Sequence, residues 1–116
     1  YQIKMKINKR EFLDSLDRAT LLIKDSDKKP IRMSIEDRTL GLKISSLIGS
    51  LNEEIDIEKE GNNLVIGFNP KLIIDALRVI DDENVNIYFN NTKSPCVIKD
   101  DAESYIYLIL PMGINE

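Results

Sequence analysis

Histidine is absent from this 116-residue chain, and cysteine occurs once, as Cys96. Without histidine the chain lacks the commonest general base and the commonest metal ligand. A single cysteine excludes an intrachain disulfide and any paired-thiol redox motif, and it fits a reducing, cytoplasmic compartment. In its strand-like setting, Cys96 reads as a small buried apolar residue. No apolar run approaches the roughly 20 residues of a membrane-spanning helix, and no secretory leader pattern opens the sequence. Cations are not in excess either: 16 Lys and Arg stand against 20 Asp and Glu, for a net charge of -4. Such a chain does not hold nucleic acid through bulk charge, so any role on DNA must come from local placement of Lys and Arg. P-loop, GxGxxG, CxxC and GxSxG motifs are all missing. The acids Asp81, Asp82 and Glu83 read as a helix-terminal turn and lack the spacing of a calcium loop. No catalytic residue, cofactor or metal site is expected.

What is present is patterning. Apolar residues make up 42% of the chain, enough for one core, so residues 1–116 are read as a single domain. Tyr1, Ile3, Met5 and Ile7 alternate with polar residues, as in a half-buried strand. The opening lacks a methionine and is already strand-like, so the sequence is expected to be part of a longer polypeptide. Asn8 is placed to cap a helix whose stripe is Phe12, Leu13, Leu16, Thr20 and Ile23, ending near Lys24. A polar turn, "KDSDKKP", precedes three alternating strands built on Ile31–Ile35, Leu40–Ile44 and Ile55–Ile57. Between the last two, Leu47 and Ile48 look exposed. "LVIGF" then leads into a second helix, with Asn69 as cap, Pro70 at the first helical position and Ile73, Leu77 and Ile80 on the buried side. Three strands follow: "NVNIYF", "PCVIK" and "SYIYLILP".

The order repeats. "INKREFLDSLDR" lies over "FNPKLIIDALRV" without a gap, pairing Asn8 with Asn69, Arg10 with Lys71, Asp14 with Asp75 and Leu16 with Leu77. The expected fold is therefore α+β: a duplicated β-α-β-β-β unit, with two helices packed on two antiparallel sheets. The outer helix faces then carry Arg10, Arg18, Lys71 and Arg78 among acids, each helix with one net positive charge. One reading is a pair of solvated faces with i,i+4 pairs such as Lys71–Asp75. The other is a weakly positive surface that touches a polyanion without sequence preference.

"IGFNPKLIIDAL", "ENVNIYF", "KSPCVIKD" and "YLILPM" together resemble the C-terminal, third domain of the bacterial sliding clamp, the β subunit of DNA polymerase III. "EFLDSLDRATLL" is similar to that family's helix in the same domain, and the resemblance runs from about Glu11 to Ile114. It implies a DNA-clamp domain, a non-catalytic segment of a ring in which two three-domain subunits encircle duplex DNA, in a bacterium of low-GC Gram-positive kind. Arg10, Arg18, Lys71 and Arg78 would face the DNA. DNA polymerase, clamp-loader subunits and other proteins with clamp-binding motifs would dock through short peptides. The groove for them would use Asn69 and Leu72, a rim of Lys93 and Pro95, and a wall of Leu108, Ile109, Leu110, Pro111 and Met112. Alternate residues of that wall would split between core and groove. The subunit contact would fall at Leu21 and Leu22, one of which should be free for a partner, and on the acidic "NEEIDIE" strand with Glu53 and Glu54. Those acids would meet basic residues of the neighbouring subunit; otherwise they form an edge strand that discourages aggregation. A homodimer is expected at full length and a monomer for this segment, with no membrane association. Gly113 stands where the family often has a basic residue, the chain runs on through "INE", and Lys93 is polar where some relatives have an apolar rim. The competing reading is a stand-alone α+β peptide- or ligand-binding module unrelated to DNA.

Overall fold

A computed structural model describes residues 1–23, 29–46 and 48–114. In chain order the elements are β1 (Ile3–Asn8), α1 (Lys9–Thr20), β2 (Ile31–Ile35), β3 (Thr39–Ser46), β4 (Gly49–Glu60), β5 (Leu64–Phe68), α2 (Pro70–Val79), β6 (Asn84–Phe89), β7 (Cys96–Lys99) and β8 (Ile106–Ile109). The duplicated unit is present as read. Both helices start on an asparagine: the Asn8 side chain accepts from the Glu11 N–H at 2.9 Å and that of Asn69 from the Lys71 N–H at 3.0 Å. Each cap satisfies a backbone donor that has no partner inside the helix.

The two expected sheets are halves of one. The strand order is β5-β2-β3-β4-β1-β6-β7-β8, and every adjacent pair is antiparallel. The halves fuse because β4 is 12 residues long. Its Gly49–Asp56 stretch pairs with β3, while Ile57–Glu60 pairs with β1. Each unit lends its first strand to the other's sheet, so β5 lies beside β2 and β1 beside β6. At the far ends, the Met112 N–H donates to the Gly67 carbonyl at 2.8 Å. That single bridge ties the chain beyond β8 to β5, as Glu58 of β4 is tied to Lys6 of β1.

Alternation puts the apolar faces inward. Met5, Met33, Leu42, Ile57, Phe68, Ile87 and Ile98 meet Phe12, Leu16 and Ala19 of α1 and Ile73, Ile74 and Leu77 of α2 in one continuous core. The Phe68 and Phe89 rings sit 6.3 Å apart within it. Helices and strands thus bury their stripes against each other, which neither can do alone.

Three expectations need correction. α1 stops at Thr20 rather than near Lys24, because the backbone tightens into i→i+3 bonds from Leu21, Leu22 and Ile23 back to Arg18, Ala19 and Thr20. Lys24, most of the polar turn and Leu47 lie outside the described residues; Ile48 is exposed. Tyr1 precedes β1 and does not join its buried row. It is 66% exposed and packs its ring 5.3 Å from Tyr88. The last strand is shorter than "SYIYLILP" implies, with Leu110 and Pro111 already beyond it.

Candidate functional site

α1 and α2 pack against each other on the inner side of the sheet. Successive residues turn by about 100° along a helix, so the positions opposite the buried stripes are Arg10, Asp14 and Asp17 on α1 and Lys71, Asp75 and Arg78 on α2. Arg78 reaches across to Asp17 at 3.4 Å. Acids and bases are balanced on this shared outer surface. Arg18 is not part of it. It lies on the flank of α1 facing β4, where its Nε donates to Glu53 Oε2 at 2.8 Å and a second guanidinium nitrogen donates to Oε1. Ser15 Oγ donates to Glu53 Oε1 at 2.9 Å. The hydrogen bond from Arg18 is the main reason the Glu53 carboxyl is held below its ordinary value, with burial opposing and Ser15 assisting. The same contact raises the Arg18 guanidinium.

This pairing gives Glu53, one of the acids expected at a subunit contact, a partner within its own chain. Glu53 shares its strand face with Ile55 and Ile57, which point to the core, so it turns toward α1 and meets its own chain's arginine. Glu54 has the other parity and is exposed. Of the two leucines after α1, Leu21 is 76% exposed, while Leu22 packs on the core. Along Gly49–Asp56, β4 is paired with β3 on one side; among the described residues no strand pairs with the other side.

Of the expected groove residues, Ile109 to Met112 lead from β8 into the closing bridge. Ile109 pairs with Cys96 of β7, which brings Pro95 alongside the end of β8. From there Leu110, Pro111 and Met112 cross to β5, and Met112 bonds Gly67, two residues before Asn69. α2 begins at that point and also packs against β8. Leu108 and Leu110 are 71% and 68% exposed, and Leu72 on the first turn of α2 is 47% exposed. Ile109 departs from the rest of the wall: it is 5% exposed and faces the core, because neighbouring strand residues point to opposite sides. Lys93 is exposed in the β6–β7 loop, whose turn is held by Asn91 accepting from the Lys93 and Ser94 N–H groups, both at 2.9 Å. Ile106 escaped the sequence reading. It lies two residues before Leu108 on the same strand face and is 57% exposed, and the alternation of β8 carried the signal for it.

The arrangement offers surfaces for contact. Cys96 is buried, which pushes its thiol up to about 12, far from a reactive thiolate. Among the described residues no group of three His, Cys, Asp or Glu side chains is positioned to hold a metal ion, and no helix is long and apolar enough to cross a membrane.

Residues 1–113 match the family described as the DNA polymerase III beta subunit, C-terminal domain. Over 115 residues the chain is 37% identical to the beta sliding clamp of Staphylococcus epidermidis, covering 97% of this chain and 30% of that protein. Among solved structures it is similar to a Eubacterium rectale chain assigned as a DNA polymerase III beta subunit, with 62% identity and a TM-score of 0.94 over 97% of this chain and 30% of that one. The beta subunit of Thermotoga maritima is similar at 31% identity, with a TM-score of 0.92 over 99% of this chain and 32% of that one. The chain therefore spans about 30% of the length of the curated relatives it matches.

Proposed function

The chain belongs to the family of the DNA polymerase III beta subunit, as its C-terminal domain, and from that premise we propose that it is one segment of a dimeric ring that encircles duplex DNA. In that ring it docks the polymerase, clamp-loader subunits and other replication and repair proteins by short peptides. It works in the bacterial cytoplasm without an active site of its own. The linkage to DNA is topological, so the balanced helical surface carrying Arg10, Lys71 and Arg78 suits it. Contacts there are weak, sequence-independent and salt-sensitive, and they let the ring slide. Arg18 stands outside that surface, on the flank of α1, engaged with Glu53. Leu21 and Glu54 are available to a neighbouring subunit, as is the open edge of β4. The reading as a stand-alone module is set aside, because the family match runs through residues 1–113.

One observation carries the docking role. The chain from Leu108 to Met112 crosses between the two sheet edges beside the start of α2 and leaves Leu108, Leu110 and Leu72 exposed. Apolar side chains held on a bridged backbone next to a helix start form one wall of a groove for an extended peptide. The test titrates a fluorescent clamp-binding peptide against the full-length protein and its Leu110→Ala variant. The variant is expected to bind about tenfold more weakly, as for a central anchor. Equal affinities would remove the groove from this surface. Retention on circular DNA, with loss from linear DNA, tests the ring.

A further inference from the structure

Asp17 and Arg78 are equivalent residues of the duplicated unit. The gapless overlay that pairs Asn8 with Asn69 also sets Asp17 on Arg78. These same two residues meet across the helices, with an Arg78 guanidinium nitrogen donating to Asp17 Oδ1 at 3.4 Å. Equivalent positions that touch lie on the axis relating the two halves. The pair therefore marks the centre of the surface that α1 and α2 share. The other matched charges on that surface keep their sign, Arg10 answering to Lys71 and Asp14 to Asp75. At the axis the sign changes. Two like charges would repel there, whereas an acid and a base attract.

The attraction is loose. The Arg78 side chain is 61% exposed and that of Asp17 46%, so water reaches both. An ion pair this open is weak and exchanges readily. A phosphate oxygen offers Arg78 the same charge-assisted hydrogen bond that the carboxylate offers. Asp17 and a DNA phosphate thus compete for one guanidinium. Building on the ring reading above, we infer that Asp17 is a positioning residue that withholds Arg78 from the DNA backbone. Its carboxylate stands in for a phosphate at the middle of the DNA-facing surface. Arg78 turns to the duplex only when a phosphate displaces that carboxylate, and returns to Asp17 when the phosphate moves on. A ring that must slide gains from a central cation that never lacks an anion.

The test uses the full-length protein and a fluorescein-labelled short linear duplex, with affinity read by anisotropy over a range of salt concentrations. Asp17→Asn should bind about two- to fivefold more tightly than the parent, the scale of releasing an exposed pair. Its affinity should also fall more steeply with salt, by about one added phosphate contact per subunit. Asp17→Glu, which keeps the carboxylate, should match the parent. In an Arg78→Gln background Asp17→Asn should bring no gain, because the two residues act as a unit. An equal gain in both backgrounds would overturn the inference, since it would come from lost repulsion alone. So would an Asp17→Asn protein with the parent's affinity and salt slope. Retention of the parent on circular DNA keeps the two readings apart. If the parent is retained and Asp17→Asn binds like it, only this inference falls; if the parent is not retained, the ring reading falls and this one with it.

Discussion

The Arg18 guanidinium grips the Glu53 carboxylate through two nitrogens, joining the flank of α1 to the open half of β4. The pair ties together two surfaces expected to face different partners, one DNA and the other a second subunit. It also makes a pH-dependent contribution with a definite sign. The Glu53 carboxyl is held below its ordinary value, chiefly by the Arg18 hydrogen bond. An acid depressed in this way stabilises the fold above its unfolded value of about 4.3 and loses that contribution as the pH falls through the folded value. Glu53→Gln should therefore melt slightly below the parent near neutrality, since the pair is open to water. The gap should close as the pH is lowered below about 4. Melting curves across that range check it; a gap that stays constant into acid would assign the loss to packing.

The alternation that runs from β8 into the residue after it separates binding from stability. Ile109 is 5% exposed, whereas Leu110 is 68% exposed. Ile109→Ala should cost about 2–5 kcal/mol of stability through the cavity it leaves. Leu108→Ala and Leu110→Ala should stay within about 0.5 kcal/mol of the parent, yet weaken peptide binding. Urea titrations beside peptide titrations measure both quantities. If Leu110→Ala unfolds as readily as Ile109→Ala, the outward orientation of Leu110 has been misassigned.

Most of the architecture was legible because it is written in short-range periodicity. Ile3, Met5 and Ile7 announce a strand, Phe12 and Leu16 a helix, and Asn8 and Asn69 the two starts. The 61-residue offset between those caps exposed the duplication. What stayed hidden depends on long-range register. That the sheets fuse requires knowing that β4 runs for 12 residues across both halves. That Glu53 turns to Arg18 requires its parity relative to Ile55 to be combined with the packing of α1 over β4. The family resemblance implies a groove wall from Leu108 to Met112 with alternate residues turned to the core, but not which of them turn. The pairing with β7 and the burial of Ile109 decide that.

Gly67 is required by proximity rather than by backbone conformation. A Cβ there would stand 3.0 Å from the Met112 carbonyl oxygen and 3.2 Å from Pro30 Cβ, against the bridge that closes the sheet. Gly67→Ala should push the chain from Leu110 to Met112 off β5. The expected cost is about 1–3 kcal/mol, as for other overpacked sites, and peptide binding should weaken through the displaced wall. Gly41 supplies the control. It also lies in a strand, but its nearest neighbours would be the Ser34 Cβ at 3.6 Å and the Ser34 carbonyl oxygen at 3.8 Å, which is ordinary contact. Gly41→Ala should therefore remain within about 0.5 kcal/mol of the parent and bind peptide normally. Parallel denaturant and peptide titrations of the two variants decide the matter. If Gly67→Ala behaves like Gly41→Ala in both, the bridge to Met112 does not hold the groove wall in place.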